Sequence, residues 1–308
     1  MDGGLRISDS ESCDGGLKKY FLLCFPLRLT TFDLGLHHML RFPNCKINIG
    51  LYITNKRPDG YHDLETVFCP VLLKDVLEIV PAKDKASIHL SGREVAGDNK
   101  DNLVWKAYEL MKKQFLQQVP ELDIFLHKVI PMGAGLGGGS SDGAFMLQMI
   151  NDFCNLHLSE EQLASYALEL GSDCPFFIYN SASFAKGRGE KLEPIALDLS
   201  AYSIQLICPQ VHISTAKAFQ MLTPKPAAFD LRKISAMPVT EWRHHIQNDF
   251  EKPVFEQYSE LGNIKEQLYA QGALYASMSG SGSTIYGIFE KGRSAMVKTG
   301  LGFEAHLL

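Results

Sequence analysis

At 308 residues the chain is about twice the ~150-residue size of a typical domain, enough for two modest domains or one large one. Hydrophobic residues make up 45% and charged residues 21%, and no stretch approaches the roughly 20 apolar residues that span a bilayer, which excludes membrane-spanning, fibrous and wholly disordered classes. Thirty Lys plus Arg against 35 Asp plus Glu give a net charge of −5 with no basic block, which argues against nucleic acid as a partner. The seven cysteines are scattered without a C-x-x-C pair, as expected of free thiols in a reducing cytoplasm.

Residues 1–38 carry Gly-Gly at 3–4 and 15–16 and no lasting period, so they are expected to lie outside the fold. Lys18-Lys19 before Tyr20 to Pro26 is a poor secretory signal, since Pro26 and Arg28 interrupt the apolar run, and five acidic residues argue against a transit peptide. From Met39 the pattern sharpens. Ile47, Ile49, Leu51 and Ile53 alternate with Lys46, Asn48, Gly50 and Tyr52, which predicts a half-buried strand with Lys46 and Asn48 on the face opposite the aliphatic one. A turn at 57–60 leads to extended runs over 64–73 and 76–80. Leu103, Val104, Ala107, Leu110 and Met111 recur at helical spacing, and Leu122, Ile124 and Leu126 alternate as a strand. Ser159 and Gln162 have capping-box spacing and open a helix that Gly171 can close. Strands are expected near 184–195 and 203–208, helices near 239–249 and 253–271, and a last strand pair around 279–283. The irregular mixture predicts an α+β fold, with domains over 39–198 and 199–308.

The richest segment is Pro131-Met132-Gly133-Ala134-Gly135-Leu136-Gly137-Gly138-Gly139-Ser140-Ser141, between a strand and the apolar helix of Ala144 to Phe153. Five glycines in seven residues let a backbone approach a ligand closely, and the following helix aims its unpaired N–H groups at whatever the loop encloses. This is the construction of a phosphate cradle. Gly133, Gly135 and Gly138 also satisfy G-x-G-x-x-G, but the second strand and acidic residue of a dinucleotide fold are missing, and no Lys follows to make a P-loop.

The loop resembles the ATP-binding motif of the GHMP kinases. Lys46-Ile-Asn48 with Arg57-Pro-Asp-Gly-Tyr-His62, Gly171-Ser-Asp173-Cys-Pro-Phe-Phe177 and Met278-Ser-Gly-Ser-Gly-Ser283 narrow the resemblance to the 4-diphosphocytidyl-2-C-methyl-D-erythritol kinases, from about Phe42 to about Phe289. It implies an N-terminal domain like domain 2 of ribosomal protein S5 and a ferredoxin-like C-terminal domain. It also implies a cytoplasmic enzyme that uses ATP and Mg²⁺ to phosphorylate the 2-hydroxyl of a cytidine diphosphate methylerythritol.

By that resemblance Asp173 accepts the hydroxyl proton, and Lys46 beside it favours the carboxylate and the developing alkoxide. Residues 131–141 hold the ATP phosphates, with Ser141 a candidate contact for a Mg²⁺ that arrives with ATP, since no dedicated metal-ligand spacing occurs. Lys128 and Asn102 match positions near adenosine. Asn48, Tyr61, His62, Thr215, Phe219, Gly280 and Gly282 match the acceptor site, with Tyr61 and His62 against one face of the cytosine and Phe219 over the other. Gly143 stands where the family usually has Ala, which should weaken the helix by roughly 1 kcal/mol. Cys45 and Cys174 flank Lys46 and Asp173, where a thiol offers sensitivity to oxidants. The short region after Phe289 implies an altered final helix. A sibling GHMP kinase acting on mevalonate or homoserine, and a nucleotide-binding protein without catalysis, remain alternatives on the residues alone.

Overall fold

The computed structural model describes residues 38–95 and 97–308. The extension expected over 1–38 therefore lies, up to residue 37, outside the described residues, as do Cys13 and Cys24. The elements run β1 (Met39–Arg41), β2 (Asn44–Lys56), β3 (His62–Lys74), β4 (Val76–Pro81), β5 (Ser87–Gly92), α1 (Leu103–Gln114), β6 (Leu122–Lys128), α2 (Gly138–Phe153), α3 (Glu160–Leu170), α4 (Cys174–Tyr179), β7 (Ser183–Gly187) and β8 (Lys191–Pro194). After these come β9 (Tyr202–Pro209), α5 (Thr215–Gln220), α6 (Val239–His245), α7 (Glu251–Gln257), α8 (Ser259–Ala270), β10 (Tyr275–Met278), β11 (Ile285–Glu290) and β12 (Phe303–Leu307).

Three four-stranded sheets organise these elements, in the orders β1-β4-β6-β5, β2-β3-β7-β8 and β10-β11-β9-β12. Alternation decides which faces they bury. Leu77, Ile79, Ile124 and Leu126 of the first sheet share a core with Val104 and Met111 of α1 and Leu147 and Ile150 of α2. In β9, Ile204, Leu206 and Cys208 join a core with Ile47 and Ile49 of β2, whereas Ile207 joins Leu261, Ile264 and Leu268 of α8 in another. The third sheet is thus covered by β2 and β3 on one side and by α8 on the other. Counted from β9 its spatial order is 2-3-1-4, the interleaved order expected of a ferredoxin-like half. The altered end is a strand: residues 291–302 contain no helix, and β12 pairs antiparallel with β9.

Three expectations need correction. Ile47, Ile49, Leu51 and Ile53 do not share one face, because the β2–β3 register shifts between Ile49 and Leu51. The extra residue of this bulge, Gly50 at φ +66°, turns Leu51 and Ile53 toward the α8 core and leaves Tyr52 with Ile47 and Ile49. The last strand pair flanks rather than occupies 279–283, which forms the turn between β10 and β11. The helix expected over 253–271 is two helices, since Tyr258 leaves helical geometry at φ −127°, ψ 70°. β5, which runs parallel to β6, and the short α4 and α5 are further elements that periodicity did not announce. Gly143 has a packing reason: a Cβ there would stand 3.1 Å from Leu103 Cβ, where α2 passes the start of α1.

A Cβ on Gly50 would stand 2.7 Å from Leu231 Cδ2 and 2.8 Å from Ile246 Cγ2, at a positive φ. Gly50→Ala should therefore cost about 2–4 kcal/mol of unfolding free energy, seen as a lower urea midpoint at unchanged slope. A midpoint equal to wild type would show that the bulge constrains nothing.

Candidate active site

β2 passes under the glycine loop with Lys46 and Asn48 facing it. Both side chains are buried, and their partners explain how. Lys46 Nζ donates to Asn48 Oδ1 at 2.6 Å and to the Gly135 carbonyl at 3.1 Å, and it stands 3.6 Å from Asp173 Oδ2 and 5.1 Å from the centre of the Phe68 ring. Asn48 Nδ2 donates in turn to Thr66 Oγ1 at 3.0 Å. Burial lowers the Lys46 pKa below the ordinary lysine value, while Asp173 pulls it back up.

Asp173 precedes α4, whose helical geometry starts at Cys174-Pro175 with proline in the first turn. Its side chain makes no capping hydrogen bond and is about one-third exposed, so the carboxylate beside Lys46 stays available to a ligand. Cys45 and Cys174 are not the oxidant-sensitive neighbours expected. Burial pushes both thiols up to about 12, which leaves no thiolate to react.

The loop alternates glycines at positive φ (Gly133, Gly135 and Gly137) with Ala134 and Leu136, which are buried as anchors. Gly135 is required by the protein itself. A Cβ there would lie 2.0 Å from the Ser279 carbonyl oxygen. Around that approach, Ser279 Oγ donates to the Gly135 carbonyl at 2.8 Å and accepts from the Asn48 N–H at 3.2 Å, and the Thr284 N–H donates to the Ala134 carbonyl at 3.2 Å. Motifs more than 80 residues apart in the chain thus form one hydrogen-bonded assembly. Beyond the loop, α2 begins at Gly138 with no side-chain cap, and Ser141 Oγ is buried without a partner in its opening turn. Gly138, Gly139 and Ser140 complete that turn. Pro131 precedes the loop, and Met132 stands exposed on it.

A cleft of about 870 Å³ collects Lys46, Asn48, Asp173, Gly133, Gly135 and Gly137 with Tyr61, His62, Thr215, Phe219 and Gly280. Phe68, Arg188 and Ser281 line it as well, and the sequence patterns had not singled them out. Arg188 had one faint signal, its position between two glycines after a strand. Gly282 stands behind the wall, against Met278 and Ile213.

Asn102 and Lys128 do not line this cleft. Asn102 caps α1, its Oδ1 accepting from the Val104 N–H at 2.9 Å. Lys128 is buried with Asp75 and Asp142, its Nζ donating to both carboxylates, the second at 2.7 Å. Asp75 Oδ1 also accepts from the backbone N–H groups of Val129 and Ile130. Burial pushes the Asp142 carboxyl well above its usual range against the pull of Lys128. This cluster ties the first turn of α2 to the ends of β3 and β6, a supporting position beneath the loop. The aromatic group also differs from expectation. His62 stacks directly on Phe219, with ring centres 4.9 Å apart and planes 19° from parallel, while Tyr61 is exposed beneath the Arg188 guanidinium at 4.8 Å. A base between His62 and Phe219 would have to part them.

Residues 102–181 match the family described as GHMP kinases N terminal domain, and residues 235–301 match GHMP kinases C terminal. A Bacteroides fragilis protein named 4-diphosphocytidyl-2-C-methyl-D-erythritol kinase is 51% identical over 254 residues, covering 82% of this chain and 92% of that protein. The chain belongs to that family of GHMP kinases. A relative of the same name from Chlorobium limicola is 39% identical, over 82% of this chain and 88% of its own. The crystal structure of a 4-(cytidine 5'-diphospho)-2C-methyl-D-erythritol kinase matches with a TM-score of 0.66 at 30% identity, covering 81% of this kinase and 90% of that chain. A homoserine kinase from Cytophaga hutchinsonii (TM-score 0.61, 15% identity, 86% and 94% covered) and the Methanococcus jannaschii mevalonate kinase (0.59, 14%, 83% and 92%) share the fold.

The close approach at Gly135 yields a stability contrast within the loop. Gly135→Ala meets backbone at φ +80° and should lose about 3 kcal/mol or more, whereas Gly139→Ala, with its nearest neighbour Met132 Cε at 3.7 Å, should keep or raise the melting temperature. Equal melting temperatures would show that the Ser279 turn does not need a glycine opposite it.

Proposed function

We propose that this kinase transfers the terminal phosphoryl group of ATP to the 2-hydroxyl of 4-diphosphocytidyl-2-C-methyl-D-erythritol, in the methylerythritol phosphate route to isoprenoids. One observation carries this: the Lys46–Asp173 pair, the glycine loop and the aromatic group of Tyr61, His62 and Phe219 open into a single cleft. Catalysis of this kind consists mainly of holding phosphates in line and stabilising charge. The acceptor oxygen bonds to the terminal phosphorus as the bond from that phosphorus to the bridging oxygen of ADP breaks, and Asp173 takes the hydroxyl proton. Lys46, buried and held by Asn48 and the Gly135 carbonyl, orients the carboxylate and balances the alkoxide as it forms. The unpaired N–H groups that open α2 face the phosphates.

A divalent ion fits this site only as a companion of the nucleotide. Among the described residues no group of three or more His, Cys, Asp or Glu could hold a metal, and the unpartnered Ser141 hydroxyl is the oxygen suited to touch it. When bound, Mg²⁺ would neutralise phosphate charge. For the acceptor, His62 supplies a ring to stack and nitrogens to pair with a nucleobase edge, which neither mevalonate nor homoserine would use. The five described cysteines are all free, which supports a cytoplasmic setting, and no helix among the described residues is long and apolar enough to cross a membrane.

Turnover of the cytidyl substrate with ATP and Mg²⁺ should exceed turnover of mevalonate and homoserine, and equal or better activity on either would overturn the assignment. Asp173→Asn should lower kcat by about 10²- to 10⁴-fold with little change in the KM for ATP, and an unchanged rate would remove Asp173 from proton transfer. The depressed Lys46 pKa sets a direction with pH. Raising the pH deprotonates Lys46 earlier than an ordinary lysine and dissolves its pair with Asp173, so kcat should fall along an alkaline limb whose midpoint lies below 10.5. Lys46→Arg should move that limb upward, and a limb unmoved by it would belong to another group.

A further inference from the structure

The acceptor proposed above carries a diphosphate between its base and its alcohol, yet the cation beside Asp173 is already committed. Lys46 spends its donors on Asp173, Asn48 and the Gly135 carbonyl. A second cation faces the same cleft. Arg188 sits at the β7–β8 turn between Gly187 at φ +74° and Gly189 at φ +109°. Its backbone is fixed: its N–H donates to Glu190 Oε2 at 2.6 Å, and a Cβ on Gly189 would lie 3.3 Å from Asp173 Oδ1. The turn therefore abuts the carboxylate, while the guanidinium lies 4.8 Å over the Tyr61 ring, which faces the cleft with His62. Among the described residues this guanidinium makes no ion pair within 4 Å and donates no side-chain hydrogen bond; Asp59, a carboxylate near enough to feel its charge, is held by Arg57. It is a planar, permanently charged fork held on an aromatic face between the proton acceptor and the base-binding rings.

We propose that Arg188 is a specificity-determining residue that binds the diphosphate of the acceptor, linking recognition of the base to placement of the alcohol. A diphosphate has the oxygen spacing that a guanidinium meets with two parallel hydrogen bonds, and Tyr61 holds the fork ready without competing for its donors. Glycines on both sides let the turn approach Asp173 closely and still present the side chain to the cleft. Lys56, on the same wall, adds positive charge without that fixed geometry. The role rests on the proposed cytidyl diphosphate acceptor, and it concerns the chain's own contact with that acceptor rather than with ATP.

The test compares wild type with Arg188→Ala and Arg188→Lys in turnover of the cytidyl substrate and in competitive inhibition by CDP and by cytidine. Arg188→Ala should raise the substrate KM and the CDP inhibition constant together by about 10- to 100-fold, the range of a charge-assisted contact, with kcat and the KM for ATP changing less than about threefold. Arg188→Lys should recover part of the loss, and the cytidine constant should stay within about twofold. Equal weakening of cytidine and CDP would overturn the proposal and leave Arg188 as a support for Tyr61, and unchanged constants for both would overturn it outright. A fall in kcat alone would assign Arg188 to the transferred phosphoryl group instead. These failures all occur with wild type active on the cytidyl substrate. Wild type that neither turns it over nor binds CDP would overturn the acceptor assignment, and the diphosphate role with it.

Discussion

The site depends on one steric constraint, the approach of the Gly135 backbone to the Ser279 carbonyl, where no Cβ fits. That approach lets the glycine loop lie between β2 and the β10–β11 turn. From it follow the short bonds that define the site: the Lys46 N–H to the Leu136 carbonyl at 3.0 Å, Lys46 Nζ to the Gly135 carbonyl, and Ser279 Oγ between the loop and the Asn48 N–H. A side chain at 135 would push the turn outward and break bonds that hold three distant segments. Glycines in such loops are often credited to the phosphate alone. Here the protein's own backbone demands one of them before any ligand arrives.

Beneath the loop, Lys128 with Asp75 and Asp142 plays the complementary part. Three ionisable groups sealed from water are costly unless each is paired, and they are paired across the strand ends and the first turn of α2. Two carboxylates share one ammonium, and burial pushes the Asp142 carboxyl up against the pull of Lys128. The position of α2, and with it the direction of its free N–H groups, is thereby tied to β3 and β6 rather than left to helix packing. Lys128 thus acts within the protein itself as a support beneath the phosphate end of the loop.

Much of this was legible in the sequence, and the reasons are specific. Lys46 and Asn48 announced themselves by sitting two apart on a strand, and Asp173 by its place between Gly171 and Pro175, since period and punctuation are local properties. The flip at Gly50 was not legible, because a bulge leaves the alternating pattern of the residues intact and appears only when the partner strand is counted. The His62–Phe219 stack joins residues 157 positions apart, and the chain lists no pairings of that kind. The burial of Lys128 was not legible either, because the carboxylates that draw it inside, Asp75 and Asp142, lie 53 and 14 positions away. β5 was missed because its alternation, Ile88 and Leu90 against Ser87, His89 and Ser91, spans only two apolar residues, and it gains its order from β6 beside it.

The groups proposed for chemistry and for selectivity lie on different parts of the molecule. Asp173, Lys46 and the glycine loop lie at the start of α4, on β2 and ahead of α2, elements buried in the packed cores. Tyr61 and His62, α5 with Thr215 and Phe219, and the turn at Arg188 are short and more exposed, and they touch the cleft from its rim. Homoserine and mevalonate kinases share the fold at 14–15% identity, so the fold alone does not name the alcohol. The His62–Phe219 stack gives this a physical form: if the proposed base lies between these rings, it must replace a contact the protein already makes, and a ligand without a stacking face would gain nothing by opening it.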